Sequence, residues 1–513
     1  MKDKICGYYL DSEQEDIVLD ESKYLLVTAG AGSGKTLTIL GKINYLIKYK
    51  HILPSDILCI SFTRASAISL KEKILKEFKI NMSVYTFHKL SLEILKQNNI
   101  AFEIADSNTL ENIIHEFFLV IVLHFDKQMK DILQSFNIKP RKNIKEQYNK
   151  FYKYNYDKIQ MLERLISTFL HLFKCNKFAI ENFNEFLYRT KKQIFNINKK
   201  KEITLILLCL NIYLIYQQYL GENKEIDFDD MIIDATKLIQ EKGILQRYKY
   251  IIIDEYQDTS YIRFELIKAI IEKTGAKLMA VGDDFQSIYR FTGCDVSLFL
   301  NFQKYFPNSK IMKIENTYRN SNQLVEVASK FILKNYNQIK KNLKSNKHLE
   351  KPIRVVYYDN IKKQFLKLIL KIYNDTNRSI LLLGRNNNDV HMILSDELKL
   401  NEDGTIIYKL NPSIKMYYLT MHKSKGLEEE NVVIINLENK LLGIPNKIKD
   451  DKILNLVNRS YDKFPYSEER RLFYVALTRT KNYVYLLVPN KGKSFFVKEL
   501  LQNKKHIEIE KIK

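Results

Sequence analysis

Apolar positions in the first ninety residues come in short runs, each followed by residues spaced as on one face of a helix. Tyr24 to Ala29 precedes a glycine loop, and Ile57 to Phe62 precedes a second helical stretch. That alternation predicts strand–helix–strand units and an α/β fold built on parallel sheets. From Lys89 to about Glu225 the spacing becomes helical throughout with almost no turn residues, which predicts an all-helical insert. Strand-like runs return at Tyr250 to Asp254 and Lys277 to Gly282. A second α/β unit is expected from near Lys310, with strand candidates at Lys310 to Ile314, Ile353 to Tyr358, Ser379 to Leu383, Met416 to Thr420, Asn431 to Asn436 and Tyr483 to Val488.

A chain of 513 residues that is 45% hydrophobic and 28% charged, with only 15 Gly and 8 Pro, is a folded multi-domain protein, neither collagen-like nor disordered. Its net charge of +22 points to a polyanionic partner, nucleic acid before a membrane surface, although lysine-rich coding bias supplies part of the excess. Lys139 to Lys201 holds 16 Lys and Arg against 5 Asp and Glu, interleaved with Tyr148, Phe151, Tyr152, Tyr154 and Tyr156. Such a stretch suits a groove where phosphates meet cations and bases stack on rings, or a solvated helix face over an aromatic core. The five cysteines (Cys6, Cys59, Cys175, Cys209, Cys294) form no Cys-x-x-Cys pair and no Cys/His cluster at metal-ligand spacing, so a reducing cytoplasm and no structural metal are expected. Met1 to Tyr9 is charged, and the apolar stretch Ile203 to Tyr216 is interrupted by Asn211 and short of a bilayer's width. A buried helix is expected there, and no membrane partner.

The sharpest local signal is Ala29-Gly30-Ala31-Gly32-Ser33-Gly34-Lys35-Thr36, directly after the first strand and opening a helix at Leu37. Glycines let backbone N–H groups approach phosphate oxygens, the helix N-terminus favours an anion, Lys35 reaches the β/γ-phosphates of ATP and the Thr36 hydroxyl ligates Mg²⁺. Ala29 stands where the strict pattern has its first glycine. Downstream, the apolar strand ending in Asp254-Glu255 supplies a second partner for Mg²⁺ in Asp254 and a base for the attacking water in Glu255, an arrangement suited to hydrolysis.

Further segments extend this picture. Asp254-Glu255-Tyr256-Gln257-Asp258 and Val281-Gly282-Asp283-Asp284-Phe285-Gln286-Ser287-Ile288-Tyr289-Arg290-Phe291 resemble the UvrD/Rep group of superfamily 1 DNA helicases. Leu10 to Gln14, Ser61-Phe62-Thr63, Thr86-Phe87-His88, Asp227 to Asp230, Asn316 to Arg319, Thr420 to Glu428 and Glu468 to Arg479 follow in the family's order. Val281 to Gly293, Ser329 to Leu343 and Asp462 to Arg479 are most similar to the helicase IV branch. The interval from Arg385 to Thr420 is too short for the large accessory domain of bigger relatives.

The resemblance implies two RecA-like P-loop domains, parallel sheets flanked by helices. Residues 1–88 and 226–307 are expected to form the first, 89–225 its basic helical insert, and 308–513 the second. It implies a cytoplasmic, ATP-hydrolysing 3′→5′ translocase or helicase acting on single-stranded DNA and single/double-strand junctions, or alternatively a remodelling factor that displaces proteins from DNA. Lys35, Glu255, Gln286, Arg319 and Arg479 are the implied catalytic residues, the two arginines as fingers and Gln286 as a sensor. Gln14, Ala29 to Thr36, Tyr318 and Glu428 would hold the nucleotide: Gln14 reads adenine, Tyr318 stacks on it, Glu428 meets the ribose. Phe62, Thr63, Arg64, Thr86, His88, Tyr289, Phe291, Arg385 and His422 would line the DNA track, although His88 and His422 taken singly also read as structural histidines. Phe291 stands where many relatives place tryptophan, Leu37 and Thr292 where several place arginine.

Overall fold

The computed structural model describes residues 4–123, 136, 138, 148–193, 198–459, 462, 464–502 and 504–511. In chain order the strands of the first half are β1 (Tyr24–Ala29), β2 (Ile57–Ile60), β3 (Val84–Tyr85), β4 (Glu103–Ile104), β5 (Glu225–Ile226), β6 (Tyr250–Ile253), β7 (Lys277–Gly282) and β8 (Lys310–Ile314). Six of them form a parallel sheet in the order β3-β2-β6-β7-β1-β8. β1 lies between β7 and β8, with Val27 opposite both Val281 and Met312. Leu25 and Val27 pack with Ile39, Leu40 and Ile43 of the helix that follows the glycine loop. Leu26 faces the opposite layer with Ile262, Leu266 and Phe302. Burial on both faces explains why this strand, Thr28 apart, is a continuous apolar run instead of alternating.

Two expected boundaries move. Lys310–Ile314 was read as opening the second unit, yet it pairs with β1 as an edge strand of the first sheet, so the first unit runs past 307. Its two exposed lysines, Lys310 and Lys313, suit a sheet edge, and nothing in so short a run tells which sheet it joins. The insert likewise does not begin at Lys89: the Phe87–Gln97 helix sends Phe87, Leu90, Ile94 and Leu95 into the core of the first unit. The neck of the insert is instead the parallel pair β4 and β5, Glu103–Ile104 beside Glu225–Ile226.

Beyond that neck stand the helices Thr109–Leu123, Tyr148–Cys175, Asn182–Lys192 and Lys199–Asn223. They close on a cluster of rings, with Phe173 and Phe183 4.7 Å apart between centroids. Among the described residues, Lys199–Asn223 is the helix long and apolar enough to cross a bilayer; its Leu205, Ile206, Cys209 and Ile212 are buried in this core, while Leu207, Leu214 and Ile215 are exposed, so the helix expected to be buried is covered on one face only. Residues 139–147 and 194–197 of the basic stretch, and the side chains of Tyr148, Phe151, Tyr152 and Tyr154, lie outside the described residues. Tyr156 is exposed.

The second sheet comprises β9 (Ile353–Tyr358), β10 (Ile380–Gly384), β11 (Leu398–Leu400), β12 (Thr405–Tyr408), β13 (Met416–Thr420), β14 (Glu429–Ile434), β15 (Thr480–Pro489) and β16 (Ile507–Ile509), in the order β11-β12-β13-β10-β14-β15-β9-β16. It is parallel except for the antiparallel β11-β12-β13 edge. A loop of this unit reaches across to the insert: Ile453, Leu454 and Val457 are buried in the insert's ring-rich core. Asn176 Nδ2 donates to the Val457 carbonyl at 2.9 Å, and Arg459 Nε donates to the Asn176 carbonyl at 2.7 Å.

Candidate nucleotide and nucleic-acid site

β1 delivers the chain into a loop where Gly32 and Gly34 have φ of 71° and 80°, a left-handed geometry that favours glycine. At Gly34 the need is also steric, because a Cβ there would sit 2.7 Å from Gln14 Nε2. Gln14 is buried. Its Nε2 donates to the Ser33 carbonyl at 3.2 Å and its Oε1 accepts from the Asp11 N–H at 3.1 Å. Tyr318 reaches the same corner from the far side of the cleft, its hydroxyl donating to Asp11 Oδ2 at 2.6 Å. The ring of Tyr318 is 57% exposed, which leaves a face for a planar base.

Lys35 and Thr36 open the helix after the loop, and Lys35 Nζ lies 3.3 Å from Glu255 Oε1. Asp254 and Glu255 leave the end of β6, two places along the sheet from β1. Glu255 has φ of 54°, an uncommon conformation for a side chain of this kind, and Gln257 Nε2 donates to its second oxygen at 2.5 Å. Burial together with neighbouring Glu255 pushes the Asp254 carboxyl above its usual range. Burial also works against the charge on Glu255, but Lys35 and Lys425 outweigh it and hold that group below its usual range. Two crowded, half-buried carboxylates beside the glycine loop form a donor set that fits a hard divalent cation such as Mg²⁺.

The second unit closes directly on this loop. Thr317 Oγ1 donates to the Ala31 carbonyl at 2.6 Å, and the Tyr318 N–H donates to the Gly32 carbonyl at 2.9 Å. Arg319 Nε pairs with Glu428 at 2.6 Å, and Lys481 meets the other oxygen of Glu428 at 3.3 Å. These residues, with Gly32, Tyr318 and Lys347, line a cavity of about 300 Å³. Arg479 is buried. Its Nε donates to the Val475 carbonyl at 3.0 Å and its NH2 to Gln286 Oε1 at 3.1 Å. Burial, with Arg319 nearby, lowers its pKa to about 9, so it stays cationic at neutral pH. Lys35 thus pairs with Glu255, Arg479 with Gln286, and Arg319 abuts Gly32 of the loop.

A row of rings leads away from it. Phe62 stacks on Tyr289 with centroids 5.8 Å apart and planes 11° from parallel; Tyr289 meets Phe291 at 6.2 Å, and Phe291 meets His422 at 5.6 Å. Tyr289, Phe291 and His422 open onto a groove of about 1650 Å³ that Arg164 of the insert and Arg385 also line. The other expected track residues have local roles of their own. Thr63 and Thr86 cap helix N-termini, accepting from Ser66 N and Lys89 N, and Arg64 is the exposed first residue of the Arg64–Phe78 helix. His88 packs edge-on to Phe228 at 5.2 Å, outside the row. Arg385 is paired with Glu469 at 2.8 Å. Burial lowers the pKa of both His88 and His422 to about 4, so both rings are neutral at pH 7.

Comparison with known proteins agrees with this geometry. The profile of the UvrD/REP helicase N-terminal domain matches residues 10–307, and that of the UvrD-like helicase C-terminal domain matches residues 397–491. This chain belongs to the UvrD/REP helicase family. Among its relatives, DNA helicase IV of Escherichia coli is 28% identical over 500 residues, 96% of this chain and 70% of the relative. The ATP-dependent DNA helicase Rep of Buchnera aphidicola subsp. Schizaphis graminum is 28% identical over 488 residues, covering 90% of this chain and 67% of its own. PcrA of Bacillus subtilis is 29% identical over 363 residues, 68% of this chain but only 42% of that protein.

Within this UvrD/REP scaffold, sequence reasoning passed over three features. Lys341 is buried with Asp283 and Asp284, its Nζ 2.6 Å from Asp284 Oδ1 and 3.7 Å from the Phe285 ring centroid. Lys425 pairs with Asp258, donates to the Gln286 carbonyl at 2.7 Å and sits 4.9 Å over the Tyr289 ring. A lysine in a lysine-rich chain carries no sequence signal of burial, although Lys425 lies within the segment Thr420 to Glu428 quoted for the resemblance. Third, where no Cys/His cluster was expected, folding gathers His171, Cys175 and Asp229. The i, i+4 spacing of His171 and Cys175 was the available signal; their partner lies 54 residues beyond Cys175 and is brought near by packing alone.

Proposed function

We propose that this chain is an ATP-driven motor that hydrolyses ATP in the cleft between its two units and passes single-stranded DNA along the ring row in the 3′→5′ direction, separating strands at a junction. The observation that carries the reading is the position of Gln286. Its side chain accepts from Arg479 of the second unit, and three residues later Tyr289 enters the ring row. The relatives named ATP-dependent DNA helicases support the same activity.

Lys35 and the loop amides hold the phosphates, Thr36 and Asp254 hold Mg²⁺, which supplies charge neutralisation there, and Glu255 takes a proton from the attacking water. Arg319 and Arg479 meet the charge that develops on the transferred phosphoryl group. Rings that stack on bases do not read sequence, so binding is indifferent to sequence. The test is ATPase activity with single-stranded DNA, duplex DNA and RNA in parallel, together with displacement of strands bearing 3′ or 5′ tails. Lys35→Ala abolishes the DNA-stimulated activity; retention of it sinks the site assignment. Displacement of bound streptavidin without strand separation replaces the helicase reading with that of a remodelling factor.

A further inference from the structure

Among the described residues, one cluster of three metal-ligating side chains stands apart from the nucleotide cleft. His171 and Cys175 occupy successive turns on one face of the Tyr148–Cys175 helix of the insert, and Asp229 lies in the first turn of the Phe228–Lys242 helix of the first unit. His171 Nδ1 is 3.0 Å from Asp229 Oδ2, Cys175 Sγ is 3.4 Å from Asp229 Oδ1, and Sγ is 3.8 Å from Nδ1. An ion bonded at about 2.0 Å to nitrogen and oxygen and about 2.3 Å to sulfur has tetrahedral edges of roughly 3.3–3.5 Å. The observed separations involve both oxygens of Asp229, and one ligand atom from each residue can be chosen with all three within 4.8 Å of one another, close enough for an ion to draw them onto those edges.

We propose that His171, Cys175 and Asp229 form a binding site for a divalent transition ion of the zinc class. Thiolate and imidazole are soft or borderline donors that favour such ions over Mg²⁺ and Ca²⁺. Metal-bound histidines characteristically engage a further acceptor with the ring nitrogen that does not bind the metal, and the Thr292 carbonyl lies beside the site, 4.0 Å from Cys175 Sγ. The cluster is roofed by a tight turn: a Cβ on Gly293 would lie 2.5 Å from Cys175 Cβ and 2.7 Å from Sγ. Cys175 is 1% exposed, so its sulfur has no approach for a substrate, and a Cys–His–Asp nucleophile is ruled out by access. Three protein ligands with water in the fourth position complete a tetrahedron.

The ion then acts as a clasp. It ties the longest helix of the insert to the first unit and to the Thr292-Gly293 turn, immediately after Phe291 of the ring row. Nothing in this site depends on the nucleotide cleft, so it stands or falls separately from the proposed motor.

The test uses the full chain, loaded with zinc and then passed over a chelating resin. Wild type retains stoichiometric zinc, measured by mass spectrometry, whereas His171→Gln and Cys175→Ser retain at least tenfold less. Equal zinc in wild type and Cys175→Ser, or only trace zinc in wild type, overturns the proposal. Should the variants fail to fold, cobalt(II) loading of the wild type gives a second readout: a thiolate-to-cobalt charge-transfer band. That band must persist in Cys6→Ser, which removes the exposed thiol. Its absence from folded wild-type protein, or its loss in Cys6→Ser, overturns the proposal equally.

Discussion

Arg479 donates to the side-chain oxygen of Gln286 at 3.1 Å, linking the second unit to the first three residues before Tyr289 of the ring row. Gln286 is held from the other end by its own Nε2, which donates to Asp283 Oδ2 at 2.6 Å. A side chain gripped at both ends transmits a displacement. Arg479→Ala is expected to cut ATP turnover by about 10³-fold or more, as for other arginine fingers, while leaving binding of a fluorescent ATP analogue within a few fold. Gln286→Ala is expected to spare basal turnover better than its stimulation by single strands. If Arg479→Ala keeps turnover within tenfold of wild type, the finger assignment is wrong.

Lys341 neutralises Asp283 and Asp284 in a site closed to water, and Asp283 in turn holds Gln286. Lys341→Met leaves two buried carboxylates without a counter-charge, and removing one partner of a buried pair costs about 3–5 kcal/mol. A large drop in the thermal midpoint is expected, partly restored by adding Asp284→Asn. A midpoint within a degree or two of wild type shows that the cluster tolerates loss of its cation and does not brace the sensor.

Legibility in the sequence followed the reach of each signal. The loop from Ala29 to Thr36, β1, β6 and β7 are written locally in apolar runs and glycines, and the structure keeps them within a residue or two. β8 was recognised as a strand but assigned to the wrong sheet, because pairing with β1 is decided some 280 residues away. β11, β12 and β16 span three or four residues each, too short for periodicity to register. Motif order carries the rings, and the structure sets Phe62, Tyr289, Phe291 and His422 in one row. That Thr63 and Thr86 cap helices is not legible, because a capping threonine shows itself only once the helix start is known.

Acid should weaken the fold partly through two histidines. Burial, aided by Arg263 for His88 and Arg385 for His422, lowers both pKa values from 6.5 to about 4. The unfolded chain therefore takes up these protons first; the stability they confer is fully present above pH 6.5 and is lost as pH falls toward 4. Burial holds Asp254 and Asp258 above the usual carboxylate range, and these work in the opposite sense over part of that window. The informative quantity is thus a difference. From pH 7 to pH 5, a His88→Gln/His422→Gln double variant is expected to lose less of its thermal midpoint than wild type does. Parallel pH profiles would mean that neither ring is held neutral by its surroundings.

Phe291 and Arg164 border the same groove but contribute by different physics, so their variants should separate. Phe291 is 55% exposed between Tyr289 and His422, and stacking of a base on one ring is worth about 1–3 kcal/mol. Phe291→Ala should weaken single-strand binding roughly 5- to 150-fold, equally on mixed sequences and at every salt concentration. Phe291→Trp should strengthen it. Arg164 stands on the basic insert, and loss of a phosphate contact lowers the log–log salt slope by about one unit. Arg164→Gln is therefore expected to flatten that slope with a smaller effect at high salt. If Phe291→Ala changes the slope while Arg164→Gln does not, bases do not lie along the rings and the insert does not face the strand.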